Sequence, residues 1–311
     1  MSRPEPVATG PYAPPVPARI VDAISADGAR LHVEVHGPDG APPVVLAHGW
    51  TCSTAFWAAQ TRDLARDHRV IAYDQRGHGR SPLSPACSTA ALADDLEAVL
   101  AHTLAPGEQA LIAGHSMGGM TVMAAADRPR FREHAAAVLL CSTGSSQLTA
   151  WAKVVPLPAG RLRTRLSGHI LGSRAPLGPV TPVAKAVLKY ATMGAGSAPH
   201  MVDACARIVH ACPRAARHAW GTVLAGLDLD HGVRRLTVPT EVLHGTADRL
   251  TPSAHAHALV AALPRCVGLT ELTGVGHMTP VEAPEAVTGR IRELVTTYVA
   301  GNAPASLEEG A

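Results

Sequence analysis

Six short apolar runs, "VVLAHG", "RVIAYDQ", "ALIAGHS", "AVLLCST", "TEVLHGTAD" and "GLTELTGVGH", limit what this chain can fold into more than any other feature. Runs of this length, bounded by Gly, Asp and Pro, read as buried strands. Most are followed by a stretch with helical patterning: "AFWAAQTRDLARD", "TAALADDLEAVLAHT", "MGGMTVMAAADR", "SAHAHALVAAL" and "PEAVTGRIRELVTTYV". Parallel strands need a long crossover, usually a helix, so the alternation predicts an α/β fold with a mostly parallel central sheet flanked by helices. "RIVDAISADGARLHVEVHG" precedes it as two strands turning at Asp27-Gly28. Leu31, Val33 and Val35 lie on one side and His32, Glu34 and His36 on the other.

The alternation breaks once. Between Cys141 and Val238 there are helical segments with Pro and Gly punctuation but no clear strand. A structureless loop of that length is improbable in a compact domain, so the stretch reads as a helical cap insertion on the sheet. The expected organisation is a disordered Pro-rich leader over 1–18, a core of 19–145 and 236–300, a cap or lid over 146–235, and a flexible tail over 301–311.

Aromatics make up only 3% of the 311 residues, so Ala, Val and Leu must fill the core. A net charge of +2 argues against nucleic acid as a partner. The charge is uneven, however: residues 151–235 hold twelve Lys or Arg against three Asp and no Glu. That basic cap reads first as a solvated face, with weak contact to lipid or to an anionic substrate as the alternative. Cys52, Cys87, Cys141, Cys205, Cys212 and Cys266 form no CxxC pair and read as thiols in a reducing compartment. With no apolar signal core and no run able to span a bilayer, the expected location is cytoplasmic.

"LIAGHSMGGM" sets Ser116 between Gly114 and Gly118, after a predicted strand and before a predicted helix. That context fits a strained turn presenting a nucleophile, although any serine before a helix can simply cap it. A serine hydroxyl needs a base to take its proton and a third group to orient that base. "HGTADRLTP" supplies Asp248 and "GVGHMTPVEAP" supplies His277, each just past a predicted strand. Carboxyl ends of parallel strands are where open α/β sheets build their sites. After "VVLAHG", the amide of Trp50 can face the same space as that of Met117, giving two donors for an oxyanion.

These elements, "HGW", "YDQRGHGRS", "GHSMGG", "HGTADRLTP" and "GVGHMTPVEAP", come in the order found in the α/β-hydrolase fold superfamily, which the chain resembles from about Leu31 to Tyr298. The resemblance implies Ser116 as nucleophile, His277 as general base, Asp248 as its orienting acid, and the Trp50 and Met117 amides as the oxyanion hole. It implies a serine esterase or lipase-like enzyme that cleaves carboxylic esters of small to medium apolar acyl groups. A serine at the elbow argues against epoxide hydrolases and haloalkane dehalogenases, which use Asp there. Lactonase, cofactor-free perhydrolase and carbon-carbon bond hydrolase remain alternatives, and a non-catalytic binding protein is a further one.

Asp74, Arg76 and His78 of "DQRGHGRS" are given a structural role. Trp50, Trp151 and Trp220 are the expected pocket wall. No cofactor and no metal are expected: there is no HExxH, and His255 and His257 on a predicted surface helix do not share a face. The expected partner is a small-molecule ester, and the oligomeric state is open.

Overall fold

The computed structural model describes residues 9–299, and in it the predicted runs become one eight-stranded sheet. β1 (Arg19–Ile24) and β2 (Arg30–His36) form the hairpin, followed by β3 (Pro43–Ala47), β4 (Arg69–Tyr73), β5 (Ala110–His115), β6 (Ala135–Cys141), β7 (Thr240–Gly245) and β8 (Cys266–Leu272). Their order is β1-β2-β4-β3-β5-β6-β7-β8; β1, β2 and β4 pair antiparallel, and every later pair is parallel. The chain runs outward from β3 to β4 and then returns to β5 on the other side. The order therefore reverses beside β3, and a crevice forms there at the carboxyl ends of β3 and β5.

Helices α1 (Ala58–Leu64), α2 (Thr89–Thr103), α3 (Met117–Ala125) and α4 (Pro129–His134) lie between the early strands. Between β6 and β7 come α5 (Leu148–Trp151), α6 (Arg161–Leu171), α7 (Pro182–Thr192), α8 (Pro199–Ala211), α9 (Arg214–Ala225) and α10 (Asp230–Arg235), with no strand among them. After β7 the chain adds α11 (Ser253–Ala262), α12 (Thr279–Glu282) and α13 (Pro284–Tyr298). Strand period sorts the core into two layers. Val45, Ala47, Ile71, Tyr73, Ile112 and Val138 pack with Leu92, Leu96, Met120 and Met123 of α2 and α3. Val44, Leu46, Val70, Leu111, Leu139 and Leu243 pack with Ile291, Leu294 and Val295 of α13. Each such aliphatic side chain contributes roughly 1.5–3 kcal/mol on burial.

One part of the leader does not behave as expected. Tyr12 is buried, and its hydroxyl donates to the Val281 carbonyl at 2.8 Å, while the Arg62 guanidinium donates to the carbonyls of Pro11 and Ala13. A phenol joins an apolar ring to a polar tip, and this site accommodates both. Residues 9–18 are thus anchored to the core; positions 1–8 and the expected tail over 301–311 lie outside the described residues.

The "DQRGHGRS" loop after β4 is tied at several points. Arg76 is fully buried; its Nε donates to Asp95 at 2.7 Å and its Nη1 to Asp27 at 2.7 Å and to the Ala86 carbonyl at 2.7 Å. Removing one partner of a buried ion pair strands the other charge. Arg76→Met is therefore expected to lower the unfolding free energy by about 3–5 kcal/mol, read as a shifted midpoint in a urea titration.

Candidate active site

Ser116 joins β5 to α3 with φ 51 and ψ −116, a conformation that a β-carbon disfavours. Close packing around it leaves room only for glycine. A Cβ on Gly114 would lie 2.5 Å from the Gly118 carbonyl carbon, and one on Gly118 would run into the Ala47 carbonyl at the end of β3. The Ser116 amide donates to the Cys141 carbonyl at 3.0 Å, and its carbonyl accepts from Thr143 Oγ1 at 2.7 Å. Its side chain makes no capping bond to α3 and borders a cavity instead, so helix capping does not account for the residue.

Asp248 and His277 are brought together. Asp248 Oδ1 accepts the amides of Leu250 and Thr251 at 2.8 and 2.9 Å, and Oδ2 accepts the Thr251 hydroxyl at 2.8 Å and His277 Nδ1 at 2.8 Å. Burial alone would raise this carboxyl's pKa, but the charge and hydrogen bond of His277, with His244 and the Thr251 amide, hold it below the usual carboxylate range. An ionised carboxylate only accepts, so His277 carries its proton on Nδ1 and leaves Nε2 as an acceptor. His277 and Ser116 border the same cavity.

The histidine's backbone is held as firmly as its ring. Its amide donates to the Thr192 carbonyl at 2.8 Å, and Glu282 accepts the amides on either side, Gly276 and Met278, at 3.1 Å each. His115 Nε2 donates to the His277 carbonyl at 2.8 Å, with the two rings 4.9 Å apart. Burial, then the neighbouring His277, holds His115 well below the ordinary imidazole range, so it serves as a neutral strut.

The turn after β3 presses against Ser116: a Cβ on Gly49 would lie 3.2 Å from Ser116 Cβ and 2.7 Å from His115 Nδ1. Two buried histidines hold this turn. His48 Nδ1 donates to the Gly49 carbonyl at 2.7 Å while its Nε2 accepts the Gln75 amide at 3.0 Å. His78 Nε2 accepts the amide of Thr51 at 3.1 Å, a residue held at φ 64. Burial lowers His48 to about 3 and His78 to about 4, so both remain neutral and keep these tautomers. Asp74 Oδ1 accepts the Thr54 amide at 2.8 Å. The loop after β4 therefore fixes the backbone between Gly49 and Thr54. Trp50 sits inside this braced turn, and Met117 begins α3, where a first-turn amide has no intrahelical acceptor.

The cavity measures about 400 Å³. Its wall is mostly aliphatic, with Leu148, Ile170, Leu171, Leu188 and Leu224 supplied by the helices between β6 and β7. Trp50 borders it and donates from Nε1 to the Arg217 carbonyl at 3.1 Å. Arg217 is a buried cation in the wall, with no acidic partner among the described residues. Trp151 and Trp220, expected in this wall, are not part of it. Trp220 is fully buried in the core with Nε1 donating to the Arg76 carbonyl at 2.9 Å, because the largest side chain fills the gap over that loop. Trp151 packs against His255 with the ring centroids 4.6 Å apart and the planes tilted, and His255 is itself buried rather than on the expected surface. No group of three or more His, Cys, Asp or Glu side chains among the described residues is arranged to hold a metal ion.

Thr251, His115 and Glu282 were not singled out from the sequence. Thr251 had a local signal, since Asp followed three residues later by Thr in "DRLT" is the spacing of a side chain closing its own turn. His115 and Glu282 act through partners far along the chain.

Residues 44–290 match the model of the Alpha/beta hydrolase family. RutD of Variovorax paradoxus (strain S110), a protein assigned as a carbamate hydrolase, is 30% identical over 283 residues, covering 88% of this chain and 99% of that one. A non-heme chloroperoxidase of Streptomyces lividans is 26% identical over 279 residues, covering 85% of this chain and 95% of that protein. Among solved structures, a thermophilic esterase from Thermogutta terrifontis superimposes with a TM-score of 0.71 at 24% identity, covering 90% of this chain and 99% of that one.

Proposed function

The chain belongs to the alpha/beta hydrolase family, and from that premise we propose that it cleaves carboxylic esters through an acyl-enzyme on Ser116. The observation that carries the reading is the 2.8 Å bond from His277 Nδ1 to a buried, ionised Asp248, with His277 and Ser116 on one cavity wall. Ser116 Oγ attacks the ester carbonyl while His277 Nε2 takes its proton. The oxyanion lies against the amides of Trp50 and Met117, each worth roughly two to three orders of magnitude in rate. Collapse expels the alcohol, which leaves with the proton from His277. Water then attacks the acyl carbonyl, giving its proton to His277, and the carboxylic acid departs as Ser116 regains its hydrogen.

The helices between β6 and β7 act in this reading as a cap, since they supply most of the aliphatic wall that receives the acyl chain. The carbamate hydrolase relative widens the range of bonds, since a carbamate carbonyl is open to the same nucleophile and base. An aliphatic wall favours substrates with a hydrocarbon acyl group, which is why the ester is placed first. A fluorophosphonate probe tests the reading. Mass spectrometry is expected to locate the adduct on Ser116, and a tightly bound small molecule with no adduct would favour a binding protein instead.

The pH profile follows from the charges. Asp248 has a lowered pKa and stays ionised through the neutral range, so its charge keeps the proton of His277 on Nδ1 there. An imidazolium cannot take the serine proton, and turnover is expected to fall on the acid side, by about tenfold per pH unit at its steepest. A rate that does not fall in acid counts against His277 as the base.

A further inference from the structure

The large apolar side chains left in water are gathered on one part of the molecule. Of fourteen exposed among the described residues, nine fall between Trp151 and Tyr190. On α6, Leu162, Leu166 and Ile170 stand at i, i+4 and i+8, one stripe along the helix, with Leu162 64% and Ile170 58% exposed. On α7, Val183, Val187 and Tyr190 make a second stripe at i, i+4 and i+7. Both helices border the active-site cavity, α6 through Ile170 and Leu171 and α7 through Leu188 and Ala191. Ile170 and Leu177 are exposed and also line the cavity, so its mouth opens among these side chains.

The charge on the same segment is of one sign. From position 134 to 202 there is no Asp or Glu, while Lys153, Arg161, Arg163, Arg165, Arg174, Lys185 and Lys189 all fall inside. Arg161 and Arg165 lie on the helical rows beside the α6 stripe, and neither they nor Arg174 have an acidic partner among the described residues. On α7 the cations are engaged, Lys185 with Asp203 and Lys189 with the Ser197 carbonyl at 2.9 Å. Two exposed aliphatic stripes, the α6 one edged by arginines without acidic partners, match a bilayer surface with anionic headgroups, where the stripes enter the acyl boundary and the arginines meet phosphates. A second copy fits less well, because a two-fold contact sets the same patch against itself and every cation against a cation. Among the described residues no helix is long and apolar enough to cross a membrane, so the contact is peripheral.

We propose that α6 and α7 dock this protein on anionic lipid surfaces, with the mouth of the cavity turned toward the membrane. Docking itself needs no catalysis. That the docked enzyme draws ester substrates directly from the lipid rests on the function proposed above, since an acyl chain entering past Ile170 and Leu177 would reach Ser116 without crossing bulk water.

The test is flotation of the purified protein with vesicles of phosphatidylcholine alone and of phosphatidylcholine mixed with phosphatidylglycerol. Binding is expected to the mixed vesicles and to fall with added salt. Arg161→Gln combined with Arg165→Gln is expected to lower partition about 30-fold, at about 1 kcal/mol for each basic residue near the surface. Leu162→Ser combined with Leu166→Ser is expected to lower it about tenfold or more. None of these four residues lines the cavity, so turnover of a short soluble ester is expected to match the parent and shows that the variants fold. No partition onto anionic vesicles, or equal partition by both variants and parent, overturns the proposal. So does a dimer in sedimentation that Leu162→Ser with Leu166→Ser dissolves, because the stripe would then be covered by a second copy. Ser116→Ala is expected to bind vesicles like the parent. Binding without ester turnover in the parent would sink the hydrolytic reading and leave the docking surface standing; turnover without binding would do the reverse.

Discussion

Ser116→Ala is expected to reduce turnover of a short chromogenic ester by roughly five to six orders of magnitude, measured as kcat beside the parent. The change removes one oxygen, which in the proposed mechanism forms the bond to the acyl carbon, so no partial substitute remains in the cavity. What survives comes from the braced amides and from substrate binding, which in serine hydrolases leave roughly three to four orders of magnitude over water. The fold is expected to be spared. Ser116 donates and accepts through its backbone, to Cys141 and from Thr143, and its side chain makes no bond to α3. Alanine at φ 51 carries the same backbone strain as serine, so the thermal midpoint should move little. A variant that kept even a hundredth of the parent rate would mean that His277 activates water directly and that no acyl-enzyme forms.

How much of this was readable in advance depended on the range of the interaction. β3 to β7 begin and end within a few residues of the apolar runs because strands buried along their whole length carry mostly apolar side chains. β8, expected as a buried strand, lies at the edge of the sheet and is only partly buried, with Val267 and Glu271 exposed. α2 starts where Ser88 can accept from the Ala91 amide, a signal contained in four residues. The positions of Ser116, Asp248 and His277 past β5, β7 and β8 were legible for the same reason: strand ends are local. The cavity wall was not. Scarce aromatics drew attention to Trp151 and Trp220, yet ordinary leucines and an isoleucine from four different helices line it, and their meeting is tertiary. The role of the loop after β4 was half legible. Its charges looked structural, but nothing local says that His78 holds the amide of Thr51 or that Gln75 meets His48.

Asp248→Asn is expected to lower kcat by roughly four orders of magnitude while leaving the cavity intact. The local hydrogen bonds dictate how the new amide sits. Oδ1 of the native side chain accepts two backbone amides, from Leu250 and Thr251, so the oxygen of asparagine must take that place. Its NH2 group then faces the Thr251 hydroxyl and His277 Nδ1, where the carboxylate had accepted. Facing a donor, His277 Nδ1 must become the acceptor, and the ring proton moves to Nε2, the nitrogen that in the proposed mechanism receives the proton of Ser116. Rate is lost through the wrong tautomer and not through a misplaced ring, so raising the pH does not restore it. Nitrogen chemical shifts of His277 separate this cause from simple disorder, since they should report Nε2–H in the variant and Nδ1–H in the parent. Stability supplies an independent check with a definite sign. The carboxyl of Asp248 has a folded pKa below its unfolded one, so it stabilises the fold above the unfolded value and that contribution disappears as pH falls through the folded value. The asparagine variant should therefore unfold more easily than the parent at neutral pH, and the gap should narrow in acid. A gap that stayed constant would mean that the charge on Asp248 is not what holds His277 in place.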